Sequence, residues 1–391
     1  MKVLVIHNRY RSSAPSGEDM ACDAEAALLA RHGVEVVRYE RTNDDIGSHL
    51  AAAFETVWSR RARLDIAALL RRERPDVAHV HNLWYRISPS AYAACRDAGV
   101  PVVQTLHNFR MCCANALLLR DGLPCEECVG STPWRSVRYG CFRGSRLATL
   151  PVAFSEWLHA SRGTWSSGVD RSIALTDFAL ERFVAAGLPR ERISVKPNFL
   201  ADPPSPAGGA RAGALFVGRL TSEKGIPVLL DAAARVNHRD FVLEIVGDGS
   251  LRNAVGLAAQ RSGGRIHVAG AKCRDSCLEA MRHAQFVVVP SICYENFPLA
   301  IVEAFACGTP VLASRLGAMA EIVEDGLTGR LFAAGDAADL ARAMTWLTDH
   351  PAACAEMGRA ARAVFEARYT ADMNFDVLMS IYRQVSPGAS P

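Results

Sequence analysis

The sequence predicts an α/β protein built from two Rossmann-like domains, and three observations point there. The chain has 391 residues, more than one compact core ordinarily holds. Short apolar runs alternate with helical patterns in two separate series, the mark of parallel strands joined by crossover helices. Between the series lies Ala201-Asp-Pro-Pro-Ser-Pro-Ala-Gly-Gly-Ala210, poor in apolar residues and rich in Pro and Gly, which reads as a linker. The expected division is an N-terminal domain over 1–200, a linker over 201–212 and a C-terminal domain over 213–370, with a last segment over 371–391.

Half the residues are hydrophobic, so a substantial core is available. The net charge of +3 is too small to argue for a nucleic-acid partner. Met1-Lys2 runs straight into an apolar strand with no signal-peptide pattern, and no apolar run is long enough to span a bilayer. The twelve cysteines are therefore read as reduced, in a cytoplasmic protein.

Lys2–His7 is the first expected strand, Asn8–Glu18 a polar loop, Asp19–His32 a helix closed by Gly33, and Val34–Tyr39 the second strand. The Gly-x-Gly-x-x-Gly fingerprint is missing after the first strand, which weakens a dinucleotide reading. Gly17 is either a point of close approach for a phosphate or an ordinary loop glycine. The strands Asp76–His81 and Val100–Leu106 follow, so three strands end in His-Asn: His7-Asn8, His81-Asn82 and His107-Asn108. Parallel strands share one carboxyl edge, so these pairs predict a polar binding edge. Met111 to Ser145 carries Cys112, Cys113, Cys125, Cys128 and Cys141. The Cys125-x-x-Cys128 spacing, with a cysteine about a dozen residues away on each side, suits a structural zinc; free thiols and a disulfide are the alternatives. Phe154 to Trp165 reads as a helix, Arg171–Thr176 as a strand, Phe178–Ala186 as a helix and Ile193–Lys196 as the last strand of this half. Trp58 to Arg74 is arginine-rich around an apolar run: a solvated helix face, or a patch for anionic lipid.

Beyond the linker, Ala214–Val217 leads into Gly218-Arg219-Leu-Thr-Ser-Glu-Lys224-Gly225, with a glycine at the strand end and two cations five apart, suited to a diphosphate. Phe241–Val246 leads into Gly247-Asp248-Gly249, but Arg252 replaces the third fingerprint glycine. Ile266–Ala269 ends at Gly270, and Phe286–Val289 is another buried strand. After it come Glu295-Asn296-Phe297-Pro298-Leu299 and a helix carrying Glu303 and ending at Gly308. Two carboxylates thus flank a helix N-terminus at the carboxyl end of a parallel strand, where ligands bind in open α/β sheets. Helical patterns fill Ala337 to Val385.

Glu295 and Glu303, with seven residues between them that begin Asn-Phe-Pro-Leu, and followed by Ala-Cys-Gly-Thr-Pro310, resemble the donor signature of retaining glycosyltransferase family 4. Gly-Arg-Leu…Lys-Gly resembles that family's phosphate motif. Asp76-Val-Ala-His-Val-His-Asn and Gly99 through Arg110 are similar to a bacterial branch that builds surface polysaccharides and carries a Cys-bearing insertion, here 111–145. The resemblance covers nearly the whole chain.

It implies the GT-B fold, two Rossmann-like domains facing across a cleft, with the acceptor in the first and the nucleotide-sugar in the second. It implies a metal-independent hexosyltransferase that moves sugar from a nucleotide-diphosphate-sugar to a hydroxyl. The acceptor would be a lipid-linked or growing glycan, or a small natural product. No cofactor beyond the co-substrate is implied; the lipid reading of Trp58 to Arg74 would place the enzyme peripherally on the inner face of the membrane. Residue by residue, it implies that Glu303 holds the donor ribose, and that Glu295 with Asn296, Phe297, Pro298 and Leu299 meets the sugar. Arg219 and Lys224 would take the charge of the leaving diphosphate, with Gly17, Gly218, Gly247 and Gly270 lining the donor. His107 would contact the reacting sugar, and His81, Asn82 and Asn108 would lie on the acceptor side. Cys113 best fits the flanking position of a zinc set with Cys125, Cys128 and Cys141. The last helix, Met373–Val385, would cross back to the first domain. The rival readings are a nucleotide-sugar epimerase, a phosphorylase, or a non-catalytic sugar-nucleotide binder.

Overall fold

The computed structural model describes residues 1–12, 16–45, 49–206, 209, 211–386 and 388. It divides into two compact units. One comprises Met1–Leu118, Glu126–Asn198 and Ala371–Pro391; the other comprises Leu119–Cys125 and Phe199–Thr370.

The first unit is built on a six-stranded, all-parallel sheet of order β2-β1-β3-β4-β7-β8. Its strands are β1 (Lys2–Arg9), β2 (Glu35–Thr42), β3 (Val77–Val80), β4 (Val102–Thr105), β7 (Arg171–Ala174) and β8 (Ile193–Val195). A two-stranded hairpin, β5 (Leu119–Arg120) and β6 (Leu123–Pro124), intervenes in sequence. Side chains alternate across β1, so both faces must be covered. Leu4 and Ile6 pack with Ile66 and Leu70 of the helix Arg60–Glu73. Val3 and Val5 pack with Leu378, Ile381 and Tyr382 of the last helix, Ala371–Val385.

The second unit repeats the plan with the order β11-β10-β9-β12-β13-β14, again all parallel. Its strands are β9 (Ala214–Val217), β10 (Leu243–Val246), β11 (Ile266–Gly270), β12 (Phe286–Val289), β13 (Val311–Ser314) and β14 (Gly329–Phe332). On one face Phe216, Ile245 and Val288 meet the helices Ile226–Arg235 and Ala337–Asp349. On the other, Leu215, Val287 and Val289 meet Ile301 and Phe305 of the helix Leu299–Ala306. In each sheet the strand order reverses beside the first strand, between β1 and β3 and between β9 and β12. Such switch points leave a crevice at the carboxyl ends of the strands.

Local structure departs from the sequence reading in places. Asn8 and Arg9 belong to β1 rather than to a loop, because β1 pairs with β2 through Arg9. The first helix starts earlier, at Gly17, because Ser16 and Asp19 form a capping box. The helix expected over Phe154–Trp165 is Arg146–Ser161. Pro151 argues for a break, but Ser145 caps the Ala148 N–H and the helix runs through the proline. In the linker, residues 207, 208 and 210 lie outside the described residues, as does Pro15 of the first loop. Among the described residues, no helix is long and apolar enough to cross a membrane.

Candidate functional site

The crevice of the second unit is made by three strand-end loops that touch through glycine. A Cβ on Gly225 would stand 1.8 Å from the Pro290 carbonyl oxygen, and one on Gly247 would stand 1.9 Å from that of Gly218. Gly225 also has φ +75°, a left-handed backbone at the cap of the helix Ile226–Arg235. Backbone bonds lock the loops together: Gly218 N–H to Val246 O, Leu220 N–H to Asp248 O, Gly247 N–H to Gly270 O and Ile292 N–H to Glu223 O. Gly270, at φ +71°, has open space where a Cβ would lie.

This framework brings the two sequence motifs into contact. Lys224, after β9, donates to Glu295, after β12, at 2.6 Å, and the Ser291 hydroxyl donates to the same carboxylate oxygen at 2.6 Å. Burial raises the pKa of Glu295, but Lys224, Ser291 and Arg219 outweigh it, so its carboxyl titrates below the usual range. Arg219 is largely exposed and lies 3.3 Å from Glu223. Glu303 sits on the helix that Pro298 caps, 3.2 Å from Arg274 Nε. Here burial wins over Arg274, and the Glu303 carboxyl is pushed upward. No side chain caps that helix N-terminus, and Asn296 and Phe297 lie just before it, the Phe297 ring 6.0 Å from Tyr369. The arrangement offers a cation at a loop, a carboxylate whose charge is held, and open helix N–H groups, a set suited to a nucleoside diphosphate and a polyol.

The corresponding edge of the first unit is a buried charge network. Glu25 accepts from Lys196 at 2.7 Å, with His79 Nδ1 at 3.0 Å and His81 Nε2 at 3.3 Å. Burial would raise the Glu25 carboxyl, but Lys196 and His79 hold it well below the usual range. His81 Nδ1 lies 2.9 Å from His107 Nε2. Burial and the neighbouring His79 push His81 down to about 4. Burial, then His81 and His7, depress His107 as well. Both rings are thus neutral near pH 7, and their tautomers follow. The 3.3 Å approach of His81 to Glu25 is too poorly aligned for a full hydrogen bond. Even so, the ionised carboxylate electrostatically favours the proton on His81 Nε2. His81 Nδ1 then accepts from His107 Nε2–H, which leaves His107 Nδ1 as an acceptor.

Among the described residues, Glu25, His79 and His81 form the one group at metal-ligand spacing, and the Lys196 ammonium already neutralises it. Among the described residues, no three of the expected zinc ligands Cys113, Cys125, Cys128 and Cys141 stand at metal-ligand spacing, although Cys113, Cys128 and Cys141 are near enough to perturb one another's thiols. Cys113 Sγ–H donates to Asn115 Oδ1 at 3.0 Å, and the turn around Cys125–Cys128 is tied down by Glu126 accepting from Arg182 at 2.6 Å. The fifth thiol, Cys112, is buried and donates to Phe109 O.

Comparison with known proteins decides the family. The Glycosyl transferase 4-like domain matches residues 12–198 and Glycosyl transferases group 1 matches residues 211–350. The chain is 38% identical over 312 residues to a D-inositol 3-phosphate glycosyltransferase of Pseudarthrobacter chlorophenolicus, covering 75% of this chain and 68% of that protein. The chain belongs to this glycosyltransferase family.

It is also 34% identical over 241 residues to the phosphatidyl-myo-inositol mannosyltransferase of Mycobacterium leprae, covering 58% of this chain and 62% of that one. Against an uncharacterized glycosyltransferase of Methanocaldococcus jannaschii it spans 32% of the relative's length. Among solved structures it resembles Anabaena HepE in complex with UDP and glucose, at TM-score 0.67 and 19% identity over 97% of this chain and 99% of that one. The fold is the GT-B fold of the glycosyltransferases, with two parallel-sheet α/β domains.

The residues singled out in the glycosyltransferase sequence fall into two groups. Lys224, Glu295, Gly218 and Gly247 gather at the switch point, and Glu303 lies one helical turn into the adjoining helix. Gly17 opens the first helix of the other unit. There, His107 and Asn108 are half-buried, whereas His81 and Asn82 are buried and spent internally. Asn82 donates to Asn8 O at 2.9 Å and accepts from Trp84 N–H at 3.0 Å, so it fastens β3 to β1. Sequence reading missed Ser291, Arg274, Glu25, Lys196 and Glu18, the last of which accepts from Asn108. Ser291 is foreseeable from its place four residues before Glu295, and a charged Glu25 within an Ala/Leu helix signals a buried partner.

Proposed function

We propose that this chain is a retaining, metal-independent glycosyltransferase that moves a hexose from a nucleotide-diphosphate-sugar to a hydroxyl of a lipid-linked or growing surface glycan. One observation carries the reading: Lys224 and Glu295 meet at 2.6 Å across the β9–β12 switch point. A donor diphosphate entering there competes with Glu295 for Lys224. Glu295 is then released toward the sugar, while Arg219, largely exposed, closes on the phosphates. Glu303 takes the ribose hydroxyls. The relatives named for inositol phosphate and phosphatidylinositol, and the UDP and glucose in HepE, support a nucleotide-sugar donor and a polyol or glycolipid acceptor.

In the reaction, the bond from the anomeric carbon to the diphosphate breaks and the acceptor oxygen bonds to the same face. The acceptor proton passes to the departing diphosphate oxygen, so atoms and charge balance without a metal. Arg219 and Lys224 stabilise the charge that develops on that oxygen. His107 Nδ1, left as an acceptor by the His81–Glu25 pair, receives a hydrogen bond from a sugar hydroxyl and fixes the sugar's orientation. A lipid-linked acceptor would bring the enzyme to the inner face of the membrane.

The test is to screen nucleotide-sugars for thermal stabilisation, then to follow transfer from the best donor by NMR in EDTA. An α-linked product from an α-linked donor is expected. Donor turnover without acceptor would make the chain an epimerase, a phosphate requirement a phosphorylase, and an inverted product would overturn retention. A small natural product as the preferred acceptor would replace the glycan.

A further inference from the structure

We propose that the first unit carries a docking face for an anionic lipid bilayer, made by the helix Arg146–Ser161 and its neighbours. The proposal rests on the reading of a lipid-linked acceptor and names the surface that would reach it. Leu147, Leu150, Phe154 and Trp157 stand at helical spacing on one stripe of that helix, and all are exposed, Leu147 at 80%. Its opposite stripe, with Val152, Ala153, Glu156 and His159, is buried. An amphipathic helix ordinarily turns its apolar stripe inward; this one turns its large apolar side chains outward, while Thr149, Ser155, Glu156 and His159 are among its buried residues.

The stripe continues onto neighbouring elements. Trp134, on the short helix Trp134–Tyr139, lies 6.3 Å from the Trp157 ring, and Phe154 lies 5.9 Å from it. On the other flank the helix His49–Val57 is fastened by Ser155 Oγ donating to Thr56 O and by His159 Nε2 to Val57 O. That places Phe54, 70% exposed, and Trp58 beside the stripe. Tryptophan, phenylalanine and leucine in such a patch suit the boundary between headgroups and acyl chains.

Charge selects the occupant. Arg135, Arg138, Arg143, Arg146 and Arg162 are all exposed around the patch, and Arg60 and Arg61 follow Trp58. Between Trp134 and Arg162 the single acidic residue is Glu156, which is buried. An isologous dimer through this face would set arginine against arginine with no carboxylate between. An anionic headgroup layer satisfies every one of them. The face is thus centred on residues 134–157, and the arginine-rich helix Arg60–Glu73 supplies only its start; farther along, Arg63 is engaged by Asp97 at 2.7 Å.

The experiment is sedimentation of the full chain with vesicles of phosphatidylglycerol and phosphatidylcholine, or of phosphatidylcholine alone, at low and physiological salt. Binding to the anionic vesicles, weakened by salt, is expected. Leu147→Glu/Phe154→Glu should lower partitioning roughly tenfold or more, as should Arg135→Glu/Arg138→Glu/Arg146→Glu. Both variants replace exposed side chains and should keep the thermal midpoint and nucleoside-diphosphate titration of the wild type. Wild-type partitioning in both variants, or no binding at low salt, would overturn the proposal. So would a wild-type dimer that Leu147→Glu dissolves, which would assign the face to a second copy. Failure to bind any nucleotide, with vesicle binding intact, would instead sink the donor site and leave the docking face standing.

Discussion

The two units repeat one topology yet furnish their switch points in opposite ways. At the β1–β3 edge the charged groups are buried and held: Glu25 is paired with Lys196 and flanked by His79 and His81, His79 is fixed by Tyr382 and Thr105, and His107 is the member left half-buried. At the β9–β12 edge the backbone is locked instead, by glycines in van der Waals contact, while Lys224 and Glu295 are joined through their side chains alone. The comparison teaches that a sheet edge can be preorganised through side chains or through main chain. Only the second way leaves its charges available to an incoming diphosphate.

The largest expected effect breaks the first edge. Glu25→Gln strands the Lys196 ammonium in the core and should cost about 3–5 kcal/mol in urea unfolding. The double variant Glu25→Gln/Lys196→Met should recover most of that, since both charges then go together. Equal stability of Glu25→Gln and wild type would mean the network is not what holds this edge.

Next comes the separable pair. Lys224→Ala should lower kcat roughly 100-fold or more, with the thermal midpoint little changed, because its partner Glu295 also accepts from Ser291. Near-wild-type turnover would remove Lys224 from the leaving-group role.

The main-chain lock is tested by glycine pairs. Gly225→Ala forces a methyl group into the Pro290 carbonyl and should cost about 1–3 kcal/mol more than Gly33→Ala, where the φ is also positive but space is open. Matching costs would reduce the role of Gly225 to its dihedral angle alone.

The last prediction is a pH dependence, read as a slope. Burial pushes Glu156 up to about 8, with Arg110 opposing weakly. Its folded pKa is raised, so the folded state holds a proton that the unfolded chain releases above about 4.3. Stability from this group is therefore full below that pH and is lost as pH rises toward 8, by at most about 1.4 kcal/mol per unit. Glu156→Gln should flatten that slope; an unchanged profile would place the titration elsewhere.

Much of this was legible in the sequence. Buried parallel strands are unbroken apolar runs, so Val77–Val80 or Phe286–Val289 announce themselves, and their carboxyl ends locate both edges. The glycines around Lys224 flagged close approach without saying to what; Pro290 is 65 residues from Gly225, and no local pattern links them. Glu25 and Lys196 are separated by 171 residues, so their pairing is a property of the fold. The helix expected from Phe154 begins at Arg146, because local pattern does not show the packing that tolerates Pro151 inside it. The stripe from Leu147 to Trp157 has helical spacing, yet spacing cannot tell a core face from an exposed one. The spacing of the paired cysteines suggests a zinc ligand set, but spacing alone does not show how closely their sulfurs converge.

The central claim is that the β9–β12 crevice holds the donor's nucleoside diphosphate. Calorimetric titration of UDP, GDP, ADP and TDP into wild type, Glu303→Ala and His107→Ala tests it most directly. The account predicts that one of the four binds the wild type, that Glu303→Ala loses most of that affinity and that His107→Ala keeps it. Loss in the His107 variant with none in the Glu303 variant would contradict it and move the nucleotide to the other unit.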